Sequence, residues 1–81
     1  MTLLKIIWDF KGSTGYKTAE HHAIHLKEYA GINSLYYHEI SATKISDFHA
    51  IAYIIINDKD KITVRDNLKP HRAELYTKEE A

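Results

Sequence analysis

Residues 48–57, Phe-His-Ala-Ile-Ala-Tyr-Ile-Ile-Ile-Asn, constrain the fold more than any other stretch of the chain. By period two, Phe48, Ala50, Ala52, Ile54 and Ile56 share one face, and His49, Ile51, Tyr53 and Ile55 share the other. A strand that is apolar on both faces is covered on both, so it belongs in the middle of a sheet. Residues 2–10 read as a second strong strand, with Leu4, Ile6, Trp8 and Phe10 on one face and Leu3, Lys5, Ile7 and Asp9 on the other. A third strand is expected over 34–41, with Tyr36, His38 and Ile40 on one face, followed by a connector over 42–47.

Two helices separate these strands. A loop over 11–17 holds two of the three glycines. Thr18 is the expected N-cap of the first helix, Glu20 falls in its first turn, and Gly31 is the expected terminating glycine. The 3.6-residue period then gathers Ala19, Ala23, Leu26 and Ala30 into one stripe of mostly small side chains, able to lie close on a sheet. Ile24 points away from that stripe. Residues 54–64 also fit a hairpin, but Val64 and Leu68 recur at helical spacing and favour a second helix over 59–68, with Asp58 as N-cap. Pro70 would end it. A short last strand is expected over 72–77, and 78–81 reads as a frayed tail.

The order β-α-β-β-α-(β) in an 81-residue chain implies one α+β domain. Its common solution is the ferredoxin-like antiparallel sheet with both helices on one face. The first and third strands are then central, and they are the two with the most apolar side chains here. The opposite sheet face would present Leu3, Ile7, Ile51, Tyr53 and Ile55. A patch of that size exceeds what monomers usually expose, so the sequence predicts a homodimer packed sheet against sheet.

Composition removes several functions. Lysine plus arginine and aspartate plus glutamate are both 11, a formal net charge of zero, which argues against nucleic acid as a partner. Tyr53 is the one fair candidate for base stacking, in the wrong electrostatic setting. The longest apolar run, 50–56, is too short to cross a bilayer, and the first residues lack a signal-peptide pattern. A cytoplasmic protein is expected. With no cysteine there is no thiolate nucleophile or thiolate metal site. No Gly-rich phosphate motif is present, so no nucleotide cofactor is expected.

Six histidines are the one excess, and three readings of them stand open. In the first, topology brings Asp9, His49 and His22 to one end of the molecule as an acid/base site, with His38, Tyr53, His71 and Arg72 lining a pocket for a small polar molecule. Asp9 would raise the pKa of His49 and orient its ring. His38 joins His49 on one face only if it opposes Ile51 across the second and third strands. In the second, His21 and His25, spaced i,i+4, hold a divalent cation such as zinc with a third ligand from elsewhere. In the third, the histidines are structural, and His71 favours the C-terminus of the second helix through its dipole.

The layout resembles the dimeric α+β barrel proteins, and His22, or His25 with Leu26, on the first helix resembles the YCII-related members among them. That resemblance implies paired ferredoxin-like sheets and a histidine working with an aspartate from elsewhere in the chain. No aspartate here matches that position. The expectation is a domain that binds a small polar molecule at a His/Asp-lined pocket, open to acid/base chemistry. The alternative is a homodimeric interaction or regulatory module working through its open sheet.

Overall fold

A computed structural model describes residues 2–76. The chain runs β1 (Leu3–Lys11), α1 (Gly15–Ile32), β2 (Glu39–Ser46), β3 (His49–Asn57), a 3-10 turn at Asp58–Asp60, α2 (Lys61–Leu68) and β4 (Arg72–Tyr76). The strands form one antiparallel sheet in the order β2-β3-β1-β4, an α+β fold consistent with the ferredoxin-like layout. Both helices cover one face. Leu4, Ile6 and Trp8 of β1 and Ile54 and Ile56 of β3 pack there with Ala23, Leu26 and Ala30 of α1 and Val64 of α2. Ala19 meets Ala50 and Ala52.

α1 begins earlier than expected because Gly15 permits it. A Cβ on Gly15 would stand 2.6 Å from the Phe10 carbonyl oxygen, so only glycine lets the helix start against the end of β1. Thr14 takes the N-cap position without a side-chain cap. Thr18 lies inside the helix, donating its hydroxyl to the Thr14 carbonyl at 3.2 Å, and Glu20 falls outside the first turn.

Gly31 does not terminate α1 either. Ser34 adopts the left-handed conformation, φ +53°. Its N–H donates to the Gly31 carbonyl at 3.4 Å, and the Leu35 N–H donates to the Ala30 carbonyl at 2.9 Å. This is a Schellman closure with serine where glycine is usual. Leu35 folds back onto the helix-side core.

That closure corrects the second strand, expected over 34–41 and found at Glu39–Ser46. Ser34 and Leu35 are consumed in closing the helix, 36–38 lead from it to the sheet, and backbone pairing begins with the His38 N–H to the Ile55 carbonyl at 2.8 Å. Thr43, not His38, therefore faces Ile51. β2 is an edge strand, bulged between Lys44 and Ser46, and only Ile40 on it is buried.

α2 also differs at its start. Asp58 opens the 3-10 turn, and the N-cap position belongs to Asp60. The helix ends at Lys69, φ +50°, whose N–H donates to the Arg65 carbonyl at 3.0 Å. The Trp8 indole N–H donates to the Leu68 carbonyl at 3.0 Å, fixing the end of α2 to β1. Residue 77 of the expected last strand and the expected tail 78–81 lie outside the described residues.

The second sheet face carries a small apolar cluster of Ile7, Ile51, Tyr53 and Ile55, bordered by Leu3 and Tyr76. Its four central members are only 1, 4, 8 and 2% exposed. Lys5 lies 4.3 Å over the Tyr53 ring, and the Tyr53 hydroxyl donates to Glu39. At ~25 cal/mol per Å2, covering what these four leave exposed would contribute under about 1 kcal/mol. The large open apolar patch expected from the sequence is therefore already screened by the side chains around it.

Candidate functional site

Asp9 stands near the end of β1, and the register decides its neighbours. It lies opposite Ile51 of β3, with His49 two residues along the same strand; on the other flank Arg72 of β4 lies opposite Ile7. Residues two apart on a strand share a face, so a diagonal neighbour on each flanking strand reaches the carboxylate. His49 Nε2 is 2.8 Å from Oδ1. The Arg72 guanidinium forks onto it, Nε to Oδ2 at 3.1 Å and a terminal nitrogen to Oδ1 at 3.2 Å. Its other terminal nitrogen donates to Glu74 at 2.7 Å.

These contacts set the charge state. The Arg72 hydrogen bonds, outweighing desolvation and helped by His49, hold the Asp9 carboxyl at about 2, below its ordinary 3.8. Asp9 in return raises the Arg72 pKa. Asp9 is thus ionised at neutral pH with both oxygens occupied. It can orient His49 and Arg72, but it is a poor proton acceptor.

The Asp9 backbone works on the other side. Its N–H donates to His71 Nδ1 at 2.8 Å, and the His71 N–H donates to the Ile7 carbonyl at 3.0 Å. A backbone N–H can only donate, so Nδ1 is the acceptor and the neutral ring carries its proton on Nε2. This replaces the helix-dipole role expected for His71.

Beside this junction, between α2 and β4, lies a cavity of about 210 Å3. Ile6, Pro70 and Ala73 give it apolar walls; Lys61, Arg65, His71 and Arg72 give it basic ones, and none of its lining residues is acidic. Arg65 shares its Nε with Asp66 at 3.2 Å. Lys61 has no ion-pair partner among the described residues. Arg72 is committed to Asp9 and Glu74, which leaves Lys61, Arg65 and His71 as the donors.

No known family model matches this chain, and no curated protein or solved structure is significantly similar to it.

The sequence placed Asp9, His49, His71 and Arg72 together, and the structure joins all four. It does not join the rest. His22 lies on the helix side, its ring 4.7 Å from that of Trp8 and 5.5 Å from that of Phe10. Desolvation above all pushes its pKa below 6.5. It edges the core and is separated by the sheet from His49. His38 stands at the opposite end of β3, its ring edge-on to Tyr36, because the strand it was expected to occupy begins after it. Tyr53 is at mid-face; burial and the adjacent Glu39 carboxylate raise its pKa.

His21 is exposed, and His25 pairs with Glu28 at 3.2 Å. Among the described residues, no cluster of three or more side chains is arranged to hold a metal. Lys61 and Arg65 were missed by sequence reasoning, although their i,i+4 spacing on a helix beside Pro70-His71-Arg72 was visible.

Proposed function

We propose that this protein binds a small organic anion with a short apolar part in the cavity between α2 and β4. One observation carries the reading: the cavity sets Lys61, Arg65 and His71 around an apolar lining of Ile6, Pro70 and Ala73. A carboxylate or phosphate group would accept from Lys61 and from the terminal nitrogens of Arg65, charge-assisted bonds stronger than neutral ones. The Asp9 N–H, by occupying His71 Nδ1, leaves Nε2–H as a neutral donor. The Asp9 carboxylate holds Arg72, and with it the first residue of β4, in place.

Binding suits this site better than proton transfer does, because no acid lines the cavity and Asp9, the acid of the adjoining junction, is ionised and fully engaged. The small volume favours a compact metabolite over a drug-sized ligand, whose sites run to ~300–1,000 Å3. Calorimetric titration of the full chain with butyrate and with inorganic phosphate tests this. Saturable binding that weakens in Lys61→Glu and Arg65→Glu supports it; heats indistinguishable from dilution for both anions overturn it.

A second reading, a homodimeric module working through the open sheet face, is favoured by the absence of any helix over that face among the described residues. Charges of both signs, Lys5, Glu39, Arg72 and Glu74, border its apolar centre.

A further inference from the structure

The far end of the molecule carries a larger cleft. It opens where the end of α1, the end of β3 and the start of α2 meet, with a volume of about 410 Å3, within the range of small-molecule sites. Six of its lining residues matter: Tyr29, Tyr36, Asn57, Lys59, Asp60 and Thr63. None of them belongs to the Asp9 junction or to the cavity between α2 and β4.

Three features of these residues are unspent by the fold. Asp60 occupies the N-cap position of α2, where an aspartate usually accepts a bond from the helix N–H groups, yet its side chain makes no capping bond. Neither Lys59 nor Asp60 has an ion-pair partner among the described residues, although they are adjacent and opposite in charge. The Asn57 side-chain oxygen is buried without any hydrogen-bond partner, although buried polar atoms are as a rule paired. Rotation about the last, soft torsion of that side chain can present its oxygen to a donor in the cleft.

The complement of such a lining is specific. Asp60 and Asn57 call for a group that donates and is positive; Lys59 and the Thr63 hydroxyl call for one that accepts and is negative. The Tyr29 hydroxyl already accepts from the Asn67 side chain at 2.7 Å, leaving its own proton as a third donor toward an anionic group. Tyr36, largely exposed, offers an aromatic wall.

We infer that this cleft is a binding site for a small amino-carboxylate zwitterion, such as a free α-amino acid, with the ammonium on Asp60 and Asn57 and the carboxylate on Lys59 and Thr63. The left-handed Ser34 nearby is accounted for by the closure of α1 and plays no part in the assignment.

The test is an amide-resolved NMR titration of the full chain with a panel of free L-amino acids, each compared with its N-acetyl and its carboxamide derivative. Binding is expected to shift the amides of 57–60 together with those of 33–36. Blocking either end should weaken it at least tenfold. Asp60→Asn, which keeps a good N-cap residue, and Lys59→Met should each abolish the shifts while leaving the rest of the spectrum in place. The assignment is overturned if no amino acid in the panel shifts these amides, if the blocked derivatives or glucose bind as well, or if the shifts map only to Lys61, Arg65 and His71. Anion binding at the other cavity is read from separate amides, so either site can fail without the other.

Discussion

Replacing Asp9 with asparagine removes the charge at the junction of three strands while keeping the side chain's size and the backbone N–H that His71 accepts from. The carboxyl is held at about 2 against an ordinary 3.8. A drop of nearly two units, at 1.36 kcal/mol each, makes the ionised carboxylate a contribution of about 2 kcal/mol to folding. The side chain is 20% exposed, so this figure is a ceiling, lowered further by salt. Its sign follows from linkage: the folded-state pKa is depressed, so the contribution is complete above the unfolded pKa and is lost as pH falls through the folded one. Urea unfolding from pH 7 to pH 2 should show Asp9→Asn less stable by about 1–2 kcal/mol at pH 7. The gap should hold to about pH 5 and close toward pH 2. His22, whose pKa is depressed by burial, destabilises both proteins as pH falls below its unfolded value, and it cancels in the difference. A gap under about 0.5 kcal/mol at pH 7, the scale of an ordinary surface substitution, or one independent of pH, would refute the assignment of this carboxylate as the clamp on β4.

Other substitutions test the backbone argument. Gly15→Ala drives a Cβ to 2.6 Å from a backbone oxygen that cannot swing away; thermal or urea unfolding should show a loss of about 1–3 kcal/mol, and an unchanged midpoint would contradict the close approach. Ser34→Gly relieves a left-handed residue at φ +53° and should stabilise by about 0.5–1 kcal/mol; destabilisation would mean that the serine side chain contributes something the closure does not explain. The open-face reading predicts a species of about twice 9.4 kDa in sedimentation. With so little apolar area left, that dimer should weaken as salt rises; a monomer at every concentration, or a dimer strengthened by salt, would count against it.

The strongly periodic parts of the sequence carried the fold. β3 is apolar on both faces and β1 nearly so, and an alanine stripe on α1 predicted its buried face, so element order and the central strands were legible. Boundaries were not, because local preference and tertiary use diverged. Tyr36 and Tyr37 are strong strand formers, yet the chain closes α1 through Ser34 and Leu35 and passes through the two tyrosines before β2 begins. The true β2, Glu-Ile-Ser-Ala-Thr-Lys-Ile-Ser, is an edge strand with little to bury, so its pattern is faint. That shift moved His38 away from His49.

At the candidate site, Asp9, His49, His71 and Arg72 were legible because they depend on strand ends and on one central register that the hydrophobic pattern fixes. Two things were not legible. The expectation of an acid/base pair assumed that Asp9 serves His49 alone, whereas Arg72 takes both of its oxygens, a competition that only side-chain geometry reveals. Sequence also could not show that Lys5, Glu39 and their neighbours would cover the apolar residues of the open face.

The most direct test of the anion-binding account is an amide-resolved NMR titration of the full chain with butyrate, acetate and inorganic phosphate, in the wild type and in the Lys61→Glu/Arg65→Glu double variant. The account predicts saturable shifts at residues 61–65 and 71–73, tighter for butyrate than for acetate because of the apolar lining, and absent from a double variant whose spectrum is otherwise folded. Shifts that survive the double charge reversal, or no shifts at these residues with any of the three anions, would contradict it.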